Sequence, residues 1–169
     1  MTQYNIILIG DGGVGKTTFI KKLLHQSFDP KYVATLGLEV HPVNFDDNVF
    51  NVWDCAGQEK FRGQGNPEQH YENKRAAIIM FDVGSRLSYT NSLVWYISIL
   101  EKLGNIPIVF VGNKIDIQDR KVLEADVIIP NNCKYVEISA KNDTNINAPL
   151  RYLVDELQTR ETKSMCSIN

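Results

Sequence analysis

Cysteine is scarce in this sequence, charge is close to balanced, and the N-terminus lacks a long apolar run. Each shortage excludes a class of protein. The three cysteines, Cys55, Cys133 and Cys166, are scattered over 169 residues and odd in number. They suit a reducing compartment rather than a disulfide scaffold. A net charge of −2 leaves no basic footprint for nucleic acid or for an anionic membrane surface. The first apolar run, Ile6 to Ile9, spans four residues and has no basic flank before it. It is too short for a membrane span and wrongly flanked for a signal peptide. The expected setting is the cytosol or the nucleus.

What is present fits one globular domain. A hydrophobic content of 43% and a charged content of 22% are ordinary for a folded chain of this length, long enough to bury a core. Short apolar runs recur at "NIILIG" (5–10), "VFNVWD" (49–54), "AAIIMFDV" (76–83), "IPIVFVGN" (106–113) and "YVEIS" (135–139). Runs this continuous predict strands buried on both faces, as in a parallel sheet. Helical spacing lies between them: Phe19, Ile20, Leu23 and Leu24 within 16–25, then Leu93, Ile97, Leu100 and Leu103. A third set, Ile146, Leu150, Leu153, Val154 and Leu157, predicts a helix near the C-terminus. The segment "VHPVNFDDNVFNVWD" reads as two strands joined at Asp46-Asp47-Asn48. The expected fold is therefore α/β and doubly wound: six strands, mostly parallel with one antiparallel, and helices on both faces. The polar end of the chain, residues 160–169, is expected to be a flexible tail after a domain spanning 1–159.

Two constellations carry chemistry. "GDGGVGKTT" (10–18) fits G-x-x-x-x-G-K-[ST] and sits between a predicted strand and a predicted helix, the context that gives the motif its meaning. Small residues let backbone N–H groups turn inward around phosphate oxygens, and the helix N-terminus favours the negative charge. The candidate nucleotide-binding residues are Asp11, Gly12, Gly13, Val14, Gly15, Lys16, Thr17 and Thr18. Lys16 would face the β- and γ-phosphates, and the Thr17 hydroxyl would ligate Mg²⁺. Farther on, "GNKID" (112–116) supplies Asn113, Lys114 and Asp116 after a strand. A carboxylate at Asp116 can accept from both N1–H and N2–H₂ of guanine, whereas adenine offers no such pair of donors. "ISAK" (138–141) follows the next strand, where Ser139 and Lys141 could brace Asp116 and the Ala140 N–H could meet guanine O6. "SAK" alone carries no weight; in this order after the phosphate loop, the motifs together point to GTP.

With these motifs the chain resembles a small GTPase of the Ras superfamily, a P-loop NTPase of the G-domain type. It is most similar to the Ran branch through "KYVATLGLEVHPV", "FNVWD", "AGQEKF", "AIIMFDV", "NIPIV" and "DRKV". In "VATLGLEVHPVNF" (33–45), Leu38, Val40 and Pro42 alternate as in a strand, and Thr35 alone would pass for a strand former before a bend at Gly37. The resemblance implies more. Thr35 would ligate Mg²⁺ and contact the γ-phosphate, and its segment would spring away when that phosphate is lost. Phe28 and Tyr32 would flank the guanine and close over the phosphates. In "DCAGQ" (54–58), Asp54 would hold Mg²⁺ through a water, Gly57 would approach the γ-phosphate, and Gln58 would orient the attacking water. Gln58, Lys16 and Thr35 are thus the catalytic candidates. Cys55 stands where the family usually has threonine.

Residues 1–61 contain no arginine, so switch I cannot supply an arginine finger. The resemblance then implies slow intrinsic hydrolysis, an exchange factor, and a GTPase-activating protein acting in trans. It further implies a monomer of nucleus and cytoplasm that meets importin-β-type receptors. Two features depart from the Ran pattern. Switch II, with Gly65, Asn66 and Pro67, is about two residues longer. The acidic tail of that branch is missing, and "IIPNNCKYVE" holds a single basic residue where the tail would fold back. "CSIN" at 166–169 has the layout of a prenylation signal on Cys166, which would place the protein on the cytoplasmic face of a membrane as a Rab-like trafficking GTPase.

Overall fold

The computed structural model describes residues 2–25, 38–55 and 71–166. Six strands form one sheet: β1 (Thr2–Ile9), β2 (Leu38–Phe45), β3 (Asn48–Cys55), β4 (Ala76–Asp82), β5 (Ile108–Asn113) and β6 (Lys134–Glu137). Their order is β2-β3-β1-β4-β5-β6. Only β2 and β3 run antiparallel; every other neighbouring pair is parallel. The α/β architecture read from the sequence is the one observed.

The hairpin has a local cause. Asp46 and Asp47 both take left-handed backbone angles, with φ of 44° and 58°, and Phe45 pairs with Asn48 across them. A two-residue turn with both φ positive matches the twist of its strands, and aspartate tolerates that region better than most residues. The Asn48 side chain closes the turn by donating to the Asp46 carbonyl at 2.6 Å. Strand β2 is the sheet edge, where Pro42 costs no ladder bond and stays exposed. Its buried side carries Val43, while Val40 faces out.

Alternation along β1 sends Ile6 and Leu8 to one side of the sheet and Ile7 and Ile9 to the other. On the first side pack α1 (Lys16–Leu23) through Phe19, Ile20 and Leu23, and α3 (Ala148–Cys166) through Leu150, Leu153, Val154 and Leu157. On the second packs α2 (Arg86–Leu103) through Trp95 and Ile99. Helices on both faces explain why β4 and β5 are buried almost throughout.

Two expectations need correction. The buried face of α2 is Ser88, Ser92, Trp95 and Ile99, and Ile97, expected inside, is 55% exposed. Polar contacts set this rotation. The Ser85 hydroxyl caps the helix by accepting from the Ser88 N–H at 3.2 Å, and the Ser88 hydroxyl donates to the Asp82 carbonyl at 3.2 Å. Small serines let the helix lie close to β4, a preference that hydrophobic spacing does not register. The second correction concerns residues 160–166, expected as a flexible tail but helical as the end of α3. No glycine or proline interrupts them. Glu161 accepts from the Tyr4 hydroxyl at 3.1 Å and pairs with Arg75 at 3.5 Å, which ties this last part of the helix to the body.

Candidate functional site

Strand β1 ends at Ile9, and the glycine-rich loop turns back over the C-terminal edge of the sheet into α1. Two of its glycines are required by space and backbone together. Gly10 has φ of 153°, and a Cβ there would lie 2.1 Å from the Met80 carbonyl oxygen. Gly15 has φ of 104°, and its Cβ would lie 2.2 Å from the Asn113 amide nitrogen. Any side chain at either position would push the loop off its neighbours. Gly15 caps α1 without a side-chain bond, and no acidic residue occupies the first turn. Neither a capping side chain nor an acidic residue of the first turn thus competes with an anion at this helix N-terminus. Lys16, 7% exposed, donates through Nζ to the Gly10 and Asp11 carbonyls at 2.8 and 2.9 Å, so its charge sits inside the curve of the loop. Gly12 and Gly13 are exposed along that curve, Val14 is anchored in the core, and Thr18 is half-buried on α1.

The second half of the site comes from the ends of β5 and β6. Asn113 is 1% exposed and works as a tie. Its amide donates to the Val14 carbonyl at 2.9 Å, and its Oδ1 accepts from the Ala140 N–H at 3.0 Å. The Ala140 N–H, expected to meet guanine O6, is thus already paired with Asn113 and could serve O6 only as a shared donor. Lys114 donates to the Gly13 carbonyl at 2.8 Å and pairs with Asp82 at 2.7 Å. Asp116 is half-buried, and its Oδ1 accepts from the Ser139 hydroxyl at 2.6 Å, the brace expected from sequence. Lys141 is exposed and makes no bond to Asp116 among the described residues, so bracing falls to Ser139 alone. Phosphate loop, "NKID" and "ISAK" therefore converge at one end of the sheet, joined by Asn113 and Lys114.

Residues 5–159 match the family model for the Ras family. The chain belongs to the Ras family. As a Ras-family protein it is a small GTP-binding switch and, at the level of the family, a GTP hydrolase. Ras-family GTPases bind GTP and GDP with Mg²⁺ and are served by exchange factors and GTPase-activating proteins.

The residues present fit the metal. Asp54, at the end of β3, is wholly buried, and its Oδ2 accepts from the Thr17 hydroxyl at 2.9 Å. Its Oδ1 is buried with no hydrogen-bond partner among the described residues. Burial pushes the Asp54 carboxyl above its ordinary range, opposed by the Thr17 hydrogen bond and the nearby Lys16 charge. A hard cation takes oxygen ligands, and a buried carboxylate with an unused oxygen beside a hydroxyl supplies them. Asp54 and Thr17 are the described residues that would hold Mg²⁺.

Asp82 escaped the sequence reading. It holds Lys114 through Oδ2 and accepts the Gly84 N–H through Oδ1 at 2.7 Å. The one available signal was a carboxylate ending the buried run "AAIIMFD", at the sheet edge where the motifs gather. Phe28, Tyr32, Thr35, Gly57 and Gln58, along with the lengthened switch II, lie outside the described residues.

Proposed function

We propose that this Ras-family chain is a Ran-like switch of nucleocytoplasmic transport. It holds GTP or GDP with Mg²⁺, hydrolyses GTP slowly, and presents a GTP-specific surface to importin-β-type receptors. The observation that supports this reading is the Ran-like run "KYVATLGLEVHPV" (32–43 with its preceding Lys31), followed by "FNVWD" at 50–54. In this reading Lys16 neutralises charge on the β- and γ-phosphates, the Thr35 segment follows the presence of the γ-phosphate, and Gln58 orients the attacking water. Asp116, braced by Ser139, reads the guanine edge, and Asn113 and Lys114 hold the base loop to the phosphate loop. An activator in trans supplies the stabilisation that an arginine-free segment 1–61 cannot, up to roughly 10⁵-fold. The protein works as a monomer that moves between nucleus and cytoplasm.

The test is binding of the GTP-loaded Gln58→Leu protein to an importin-β-type receptor, with the GDP-loaded protein as control. Tight binding confined to the GTP form is expected. No binding in either state would overturn the transport role. It would favour a membrane-trafficking switch prenylated at Cys166, which is exposed at the end of α3.

A further inference from the structure

Asp11 is the second residue of the phosphate loop, and its carboxylate is engaged from outside the nucleotide site. Its Oδ2 accepts from the Asn91 amide at 2.7 Å, and its Oδ1 accepts from the Trp95 indole N–H at 3.1 Å. Asn91 and Trp95 are four residues apart on α2, so they stand one above the other on a single helical face. Both donors therefore reach the same loop residue from the far side of the sheet from α1. The Asp11 backbone faces inward: its carbonyl receives Lys16 Nζ at 2.9 Å.

A carboxylate in a phosphate loop is a hazard unless it is restrained. Left free, it would compete with the nucleotide for the loop N–H groups and for Lys16, and it would repel the phosphates. With each oxygen given to a donor on α2, the negative charge is turned outward. The same two bonds fix the backbone on which Lys16 docks. Hydrogen bonds to a charged acceptor are stronger than neutral ones, and Trp95 is 6% exposed, so one of the two is shielded from water. The geometry points to Asp11, Asn91 and Trp95 as a clasp that positions the phosphate loop and slows release of bound nucleotide. Asp11 is the positioning residue, and α2 is the element it leans on. This inference rests on the nucleotide binding common to the Ras family and is independent of the transport reading.

The experiment measures release of a fluorescent GDP analogue from the full chain in Mg²⁺, chased with unlabelled GDP, beside thermal melting of each variant. Trp95→Phe keeps an aromatic side chain, smaller than indole, and removes the N–H; Asp11→Ala removes both acceptor oxygens. Release about 10-fold faster is expected in each. Asn91 is half-buried, so Asn91→Ala, with the same expectation, keeps the test open should Trp95→Phe fail to fold. Combining Asp11→Asn with Asn91→Asp reverses donor and acceptor and restores both hydrogen bonds with the charge on α2. Release in that double variant is expected to return to within about threefold of wild type. A purely structural role would lower the melting temperature without this recovery. Release within twofold of wild type in folded Trp95→Phe or Asn91→Ala and in Asp11→Ala would overturn the clasp. A double variant as fast as Asp11→Ala would do the same, by showing that charge at position 11 matters and the bonds do not. A wild-type chain that retained no GDP would overturn nucleotide binding itself, a separate and visible failure.

Discussion

At Asp116 one carboxylate oxygen is already engaged, because the Ser139 hydroxyl donates to Oδ1 at 2.6 Å. That bond sets the plane of the carboxylate, and both oxygens keep lone pairs for the two donors of a guanine edge. Exchange of one oxygen for an amide should therefore invert the preference rather than weaken it evenly. Asp116→Asn is expected to lose GTP affinity by at least about 100-fold and to gain affinity for xanthosine triphosphate, whose 2-oxo group accepts from the new amide. Competition between the two triphosphates would check this, and an unchanged preference for GTP would remove Asp116 from base recognition. Much of the site is legible at this scale, because the phosphate-loop spacing and the order of the later motifs are local facts. What could not be read were the ties. Asn113 reaches Val14 across 99 positions of sequence, and Asp82 reaches Lys114 across a strand pair. Such partners are neighbours only after the sheet has formed.

Elements were legible where hydrophobicity alone determines them and misread where polar groups do. The runs that became β4 and β5 are buried by helices on both sides, so their continuous apolar character was unambiguous. The α2 face was set by serine contacts and by the Trp95 and Asn91 bonds to Asp11, none of which alter a hydrophobic period. Strand β6 shows the same dependence on polar groups. Glu137 accepts from Arg120 Nη1 at 3.2 Å and from the Tyr135 hydroxyl at 2.9 Å. Burial pushes the Glu137 carboxyl up, yet the Arg120 and Tyr135 hydrogen bonds outweigh it and hold the group below its usual range. The folded state thus binds this proton less tightly than the unfolded state. Its stabilisation is full above the unfolded value, about pH 4.3, and is lost as pH falls through the lower folded value. Glu137→Gln is expected to melt below wild type at pH 7, with the gap closing as pH falls from about 5 to about 3. Thermal melts across that range would show it, and a gap independent of pH would mean that packing, not the ion pair, sets the contribution of Glu137.

Across the whole molecule, the sheet brings the ends of β1, β3, β4, β5 and β6 to one edge, where an open α/β sheet places its ligand. A hydrogen bond from Thr17 to Asp54 ties helix α1 to β3 and joins the phosphate loop to the strand leading into switch II. The surrounding core leaves Asp54 fully buried with one oxygen lacking a partner among the described residues. A buried carboxylate in that state costs stability unless a cation compensates it. Asp54 is therefore expected to cost stability without the metal and to regain it when Mg²⁺ binds. Wild-type protein with GDP is expected to melt higher with Mg²⁺ than with a chelator, by mass action on the folded state alone. Asp54→Asn removes the charge and keeps the shape. It should melt at or above wild type in the nucleotide-free, chelated state and lose most of the Mg²⁺-dependent rise with GDP. A Mg²⁺ shift as large as that of wild type would show that the metal is held elsewhere. A lower melting temperature for the empty variant would show instead that the Thr17 bond outweighs the cost of burying the charge.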